Sequence, residues 1–190
     1  MDNIPSLPRW LVRTSDLLSA FAEGTGRVVA WLTVILVLVT FAVVVMRYQF
    51  NRGSVALQES ILYLHAAVFL LGAAYTLKRD GHVRVDIFYR AMGPRAKAAV
   101  DLLGTLLFLG PMAVFILWVS LPYVQDAWAI TEGSREAGGL PYVYLLKTLL
   151  VIAPVLILLQ GVALAARSSA ILADPSLAPE RGDNAISQEI

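Results

Sequence analysis

The sequence predicts an all-α integral membrane protein of four transmembrane helices, and three observations carry that prediction. Residues 28–46, 102–124 and 148–166 run for 19, 23 and 19 positions without a charge. A helix rising about 1.5 Å per residue needs about 20 such positions to cross a hydrocarbon core of ~30 Å. Composition agrees, because 58% of residues are hydrophobic and 15% charged, at a mean hydropathy of +0.69, whereas a soluble domain carries about 25% charged residues. Lys and Arg, finally, are shared unevenly among the segments between the apolar runs.

The first span, 28–46, lies between Arg27 and Arg47 and holds thirteen Leu, Ile, Val or Phe residues. At roughly −0.3 to −0.6 kcal/mol each, on the order of −6 kcal/mol favours its insertion. It is too long for the apolar stretch of a cleaved signal and is expected to stay in the chain. The second span, about 58–77, opens on Gln58 and Glu59, carries His65 and has only eight such residues between 61 and 77. It is expected to depend on neighbouring helices. The third and fourth spans, about 101–124 and 143–166, contain Pro111, Pro122 and Pro154, which free backbone carbonyls and are expected to kink their helices for packing. Eleven aliphatic residues between 148 and 166 outweigh Lys147, at about +3 kcal/mol near the edge of the fourth span.

Three regions follow: an amino-terminal segment 1–27, a four-helix membrane domain 28–170, and a flexible tail 171–190 whose Pro, Ser, Asp and Glu lack apolar periodicity. Within the first, Trp10, Leu11, Leu17, Leu18 and Phe21 fall near one helical face. That face suits either a separate interfacial helix or an extension of the first span. Eleven Lys and Arg lie in the two terminal segments and the loop between spans two and three, against three (Arg47, Arg52 and Arg135) on the other side. The positive-inside bias therefore places both termini in the cytoplasm and the loop 125–139, of net charge −2, outside.

The loop after span two is dense in charge: Lys78-Arg79-Asp80-Gly81-His82-Val83-Arg84-Val85-Asp86. Asp80-Gly81 signals a turn, residues 82–86 alternate as a short extended piece, and Asp86 is placed to cap a short interfacial helix from Ile87, stopped by Gly93-Pro94. A plain solvated loop that only enforces topology is the simpler alternative. In span two, Gln58, Ile61, His65, Val68, Gly72 and Tyr75 share a stripe whose polar and small side chains lipid disfavours, so it is expected to face protein.

An ionisable group inside a membrane is a functional candidate, and His65 is one. Haem ligation by two histidines fails on placement, since the only other one, His82, lies beyond the end of the same helix. A packing hydrogen bond is the expectation for His65. Glu59 and Lys147 fall at comparable depth, where they pair with each other, snorkel separately or meet a partner subunit. Asp101, at the inner end of span three near Lys78 and Arg79, reads as a cap or an ion-pair member. Phosphate loops, metal-ligand spacings and activated nucleophiles are absent, and no cofactor is expected. Without cysteine there is no thiolate chemistry, and a net charge of +1 gives no nucleic-acid signal.

The helix order, Gln58-Glu59 at the outer start of helix two and Gly81-His82-Val83-Arg84-Val85-Asp86 past its inner end resemble the small membrane subunit (DctQ-like) of tripartite ATP-independent periplasmic (TRAP) transporters, over roughly residues 28–170. That resemblance implies a multi-pass protein of the bacterial inner membrane, with two partners: a large permease subunit and a periplasmic binding protein for an organic acid such as a dicarboxylate. It implies sodium coupling in the large subunit, and for this chain a bracing and docking role with no enzymatic activity. Gln58, Glu59, His65, Gly81, His82, Arg84, Asp86 and Lys147 are then interface or structural polar residues. A small four-helix anchor or cytochrome-type subunit of a redox complex is the alternative for the same helices.

Overall fold

The computed structural model describes residues 6–81 and 86–178. Its helices are α1 (Ser6–Tyr48), α2 (Val55–Lys78), the short α3 (Asp86–Ala91), α4 (Pro94–Gly104), α5 (Gly110–Ala129) and α6 (Val143–Ala173). A π-helical turn, Thr105–Leu109, joins α4 to α5, so that Pro94–Ala129 is one continuous rod. Four helices, α1, α2, the α4–α5 rod and α6, are long and apolar enough to cross a membrane. The fold is all-α, as the sequence predicts, and the short α3 sits where an interfacial helix is expected.

Helix ends follow local chemistry. Ser54 caps α2, its hydroxyl accepting from Leu57 N at 3.4 Å. At the other end Gly81 N donates to Thr76 O (2.9 Å) and Asp80 N to Leu77 O (3.2 Å), with Asp80 left-handed at φ +58°. That is a Schellman stop, with Asp in the place glycine usually takes. The same pattern ends α5: Glu132 N donates to Ala127 O (2.9 Å) and Thr131 N to Trp128 O (3.1 Å). Here the left-handed residue is Thr131 at φ +47°, an uncommon conformation for a β-branched side chain. Pro111 explains the π turn. It has no N–H for the carbonyl of Leu107, and its ring would crowd that oxygen in a regular helix. The ladder widens instead, and Gly110 N donates to Thr105 O. The helix continues through Pro122 and Pro154.

The helix α6 is the centre of the bundle. It packs on α1, α2, α4 and α5, and 33% of its most apolar stretch is buried, against 0% for α1. Its buried residues include Ala153, Leu156, Gln160, Gly161, Ala163 and Ala170. Small side chains let helix backbones approach where lipid supplies no hydrophobic drive between them. On α1, Ser15 and Ala22 are buried, while Gly26 is covered by Tyr75 of α2. Most other large apolar side chains point outward, as a lipid-facing surface requires.

Helices run through both regional boundaries, at 27 and at 170. The chain passes residue 27 without a break, so 10–21 extends α1 and is not a separate helix. The physical reason is that Ser15 and Ala22 are already seated in the bundle. Residues 171–173 belong to α6, and Asp174 then caps a 3-10 turn, Pro175–Leu177. Hydrogen bonds from the Ser176 hydroxyl and amide hold the Asp174 carboxyl below its ordinary pKa. The rest of the tail, 179–190, lies outside the described residues.

Gly26 shows how tightly α1 and α2 cross. A Cβ there would run into the ring of Tyr75, whereas one at Gly24 would meet nothing within 4 Å. Gly26→Ala is expected to destabilise the bundle by about 1–3 kcal/mol through overpacking. Gly24→Ala should be neutral or slightly stabilising, because alanine favours helix. Thermal unfolding of both variants in one detergent checks the contrast.

Candidate functional site

The polar chemistry of the molecule is gathered at its two ends. One, the hairpin end, holds the loops 49–54 and 130–142; the other, the terminal end, holds the start of α1, the end of α6 and the α2–α4 connection.

At the hairpin end, the left-handed Thr131 turns the chain so that Glu132 faces the first turns of α6. Its carbonyl accepts from Tyr144 N (3.3 Å), satisfying a donor that the start of a helix leaves open. Its carboxylate meets Lys147 Nζ at 2.5 Å, a favourable place for negative charge beside a helix N-terminus. Lys147 Nζ also lies 3.9 Å from the ring centre of Tyr123 on α5. This one lysine therefore ties α5, the loop and α6 together.

Glu59, on the first turns of α2, holds the rest of the loop. One carboxylate oxygen accepts from the Ser134 hydroxyl and the other from Leu140 N at 2.6 Å. Those two residues are themselves paired, Ser134 N to Leu140 O at 3.0 Å, which closes residues 134–140 into a small ring. Gly138 (φ +78°) permits the return. Gly139 has no room for a side chain, since a Cβ would fall 2.8 Å from Glu59 Oε1 and closer still to Ser134. Below the loop, Trp128 and Tyr144 stack edge to face at 4.7 Å, and Trp128 Nε1 donates to Thr148 Oγ1 (2.9 Å). Aromatic residues grouped at one end of a membrane bundle mark an interfacial belt.

The terminal end has a different latch. Glu23 of α1 accepts from Lys78 Nζ (2.6 Å) and from Arg79 (3.1 Å), and the Arg79 guanidinium lies 5.5 Å from the centre of the Tyr75 ring that covers Gly26. Asp101 accepts from the Tyr89 hydroxyl at 2.7 Å, fastening α3 to α4. Ile87 and Phe88 of α3 stay exposed, as an interfacial helix requires. Between α2 and the α4–α5 rod an apolar groove of about 920 Å³ has α6 residues such as Pro154 and Ile157 as its floor.

The sequence-predicted residues are thus placed as follows. Glu59 and Lys147 stand at the same end but do not pair: each takes its partner from the loop, Ser134 and Leu140 for the one and Glu132 for the other. Loop groups reach both more closely than they reach each other. Gly81 serves the Schellman stop of α2. His82 and Arg84 lie outside the described residues; Asp86 is the first residue of α3, and its side chain is likewise outside the description. The expected stripe of α2 is only partly covered. Tyr75 and Gly72 meet α1, whereas Gln58 and His65 are exposed, and His65 makes no hydrogen bond among the described residues. Its expected packing bond is not formed among the described residues. Glu132, Ser134 and Gly139 were not singled out as contact residues, although the paired glycines 138–139 beside acidic residues were a signal for an ordered loop. Among the described residues no group of three His, Cys, Asp or Glu is placed to hold a metal.

A family model described as "Tripartite ATP-independent periplasmic transporters, DctQ component" matches residues 36–170. Neither a curated protein nor a solved structure matches the chain.

The loop geometry leads to a direct expectation. Removing the Glu59 carboxylate takes away two hydrogen bonds, so Glu59→Ala should raise amide exchange across 134–140 by roughly tenfold or more while exchange in α6 stays unchanged. Gly139→Ala should do the same by steric conflict. Hydrogen exchange followed by mass spectrometry checks both; an unchanged loop in both variants would show that Glu59 is not its latch.

Proposed function

Because the chain belongs to the DctQ-component family of tripartite ATP-independent periplasmic transporters, we propose that it is the accessory small permease subunit of a sodium-coupled importer of organic acids. In this reading it resides in a bacterial inner membrane as a multi-pass protein, braces a large permease subunit and helps to dock a periplasmic binding protein. The hairpin end faces the periplasm and the terminal end the cytoplasm. The Lys and Arg asymmetry supports that orientation.

The observation that carries the docking role is the loop 130–142, which is ordered by the membrane helices themselves. Glu59 of α2 and Lys147 of α6 hold it directly, and the Tyr123 ring of α5 backs Lys147. It presents the exposed Arg135 and Glu136 to the outside. A surface fixed before contact loses less entropy on binding than a mobile one. Sodium coupling and the organic-acid site belong, in this reading, to the large subunit. The loop carrying His82, Arg84 and Asp86 is proposed as a second contact with that subunit on the cytoplasmic side.

Two measurements test this. Proteoliposomes containing this chain, the large subunit and the binding protein should accumulate the organic acid under an inward sodium gradient, and should lose uptake when any of the three is left out. Robust uptake by this chain alone would refute the accessory role. For topology, the sequence has no cysteine, so a single one can be labelled without background. Ala137→Cys should react with a membrane-impermeant thiol reagent in spheroplasts, and Ala96→Cys should resist it; the reverse pattern would invert the orientation.

A further inference from the structure

The exposed stripe of α2 runs through Gln58, Leu62, His65 and Phe69, spaced by four, three and four residues and so aligned on one helix face. Leu62 is 57% and Phe69 72% exposed. His65 stands about 15 Å from Val55 and about 20 Å from Lys78 along the helix axis, near the middle of the span. An imidazole at that depth is badly placed against acyl chains, which offer no hydrogen-bonding group.

The other outward faces differ. On α1 the outward Thr33 and Thr40 hydroxyls donate to Val29 O (3.0 Å) and Leu36 O (2.7 Å), leaving them satisfied in lipid. Their neighbours Val34 and Phe41, like Phe108 and Phe115 on the α4–α5 rod, are apolar. The imidazole of His65 has no such partner on its own helix. A second observation points the same way. The most apolar stretch of α2 has a hydropathy of 1.7, the lowest of the four spans, yet only 6% of it is buried within the chain. In the span that inserts least readily by itself, Gln58, Leu62, His65 and Phe69 are the only exposed residues, so the part of it that the bundle leaves uncovered is this stripe.

We propose that this stripe of α2 is the seam on which a transmembrane helix of the large permease subunit packs, with His65 exchanging a hydrogen bond with a polar group of that helix. The inference rests on the accessory-subunit reading and adds to it the surface and its central contact. Leu62 and Phe69 flank the imidazole by about one turn on either side and supply the apolar contact that excludes lipid from the bond. A second copy of this chain would leave the permease to find another surface, whereas a tripartite assembly supplies a membrane partner without one.

The test places a photoreactive benzophenone side chain at Leu62 or Phe69, and for comparison at Phe41 or Phe115, in the full chain co-expressed with the large subunit and the binding protein. Illumination should link positions 62 and 69 to the large subunit, and positions 41 and 115 to it weakly or not at all. His65→Leu should lower co-purification of the large subunit by about three- to tenfold, with His65→Asn recovering part of it and Ala137→Cys labelling unchanged in both. Links to the large subunit from 41 or 115 alone, links between two copies of this chain from 62, or normal co-purification and uptake by His65→Leu would each overturn the seam. If the chain co-purifies with the large subunit while 62 and 69 stay unlinked, the seam falls and the accessory reading stands. If no permease co-purifies with the unaltered chain, both fall.

Discussion

Hydrocarbon offers no hydrogen-bond partner, and this constraint shapes nearly every polar contact in the molecule. Hydroxyls along the spans, at Thr33, Thr40, Ser60, Thr76, Thr105 and Thr148, donate to a carbonyl of their own helix one turn back. Carboxylates and cations are confined to the ends, where Glu23, Glu59, Glu132 and Lys147 each take partners from a neighbouring element. Where Pro111 removes a donor, the helix widens rather than abandon its ladder. Two buried atoms, Tyr63 Oη and Gln160 Oε1, have no partner among the described residues, and each costs the bundle stability that a paired group would not.

The four spans were legible because apolar length is a strong signal that does not depend on which helix packs where. Helix ends marked by turn chemistry were legible too: Asp80-Gly81 closes α2, and Gly93-Pro94 separates α3 from α4. The pairing of charges was not. Glu59 and Lys147 share a depth, and depth alone suggests a pair, but a pair also needs a direction across the bundle. That direction is set by the left-handed Thr131 and by Gly139, whose roles rest on backbone conformation and on a space too small for a Cβ. The π turn was hidden for a related reason: a proline announces that a helix must adjust without stating how. His65 was read as a packing residue, which its depth justified. Whether such a residue turns into its own bundle depends on where α1 and α6 cross α2, and a single sequence does not encode that visibly.

The hairpin end and the terminal end solve one problem with different means. At the hairpin end the latch runs through a loop, so that Glu59 and Lys147 order residues that no helix would otherwise hold. At the terminal end Glu23 binds directly to the end of α2, and Tyr75 lies between Gly26 and Arg79. The bonds of Glu59 to Ser134 and Leu140 and of Glu23 to Lys78 join residues 55 to 81 positions apart in the chain, which fixes the relative height of the helices as well as their contact.

Between the latches, the interior of α6 consists largely of small residues, and close-packed interiors transmit displacement instead of absorbing it. A bundle tied at both ends and packed along one central helix has little freedom to open a path through its middle without breaking several contacts at once. That property suits the proposed role of fixing the position of a partner. It also fits the position of His65 on an outward face: in a body whose interior is largely committed, the surface is left for assembly.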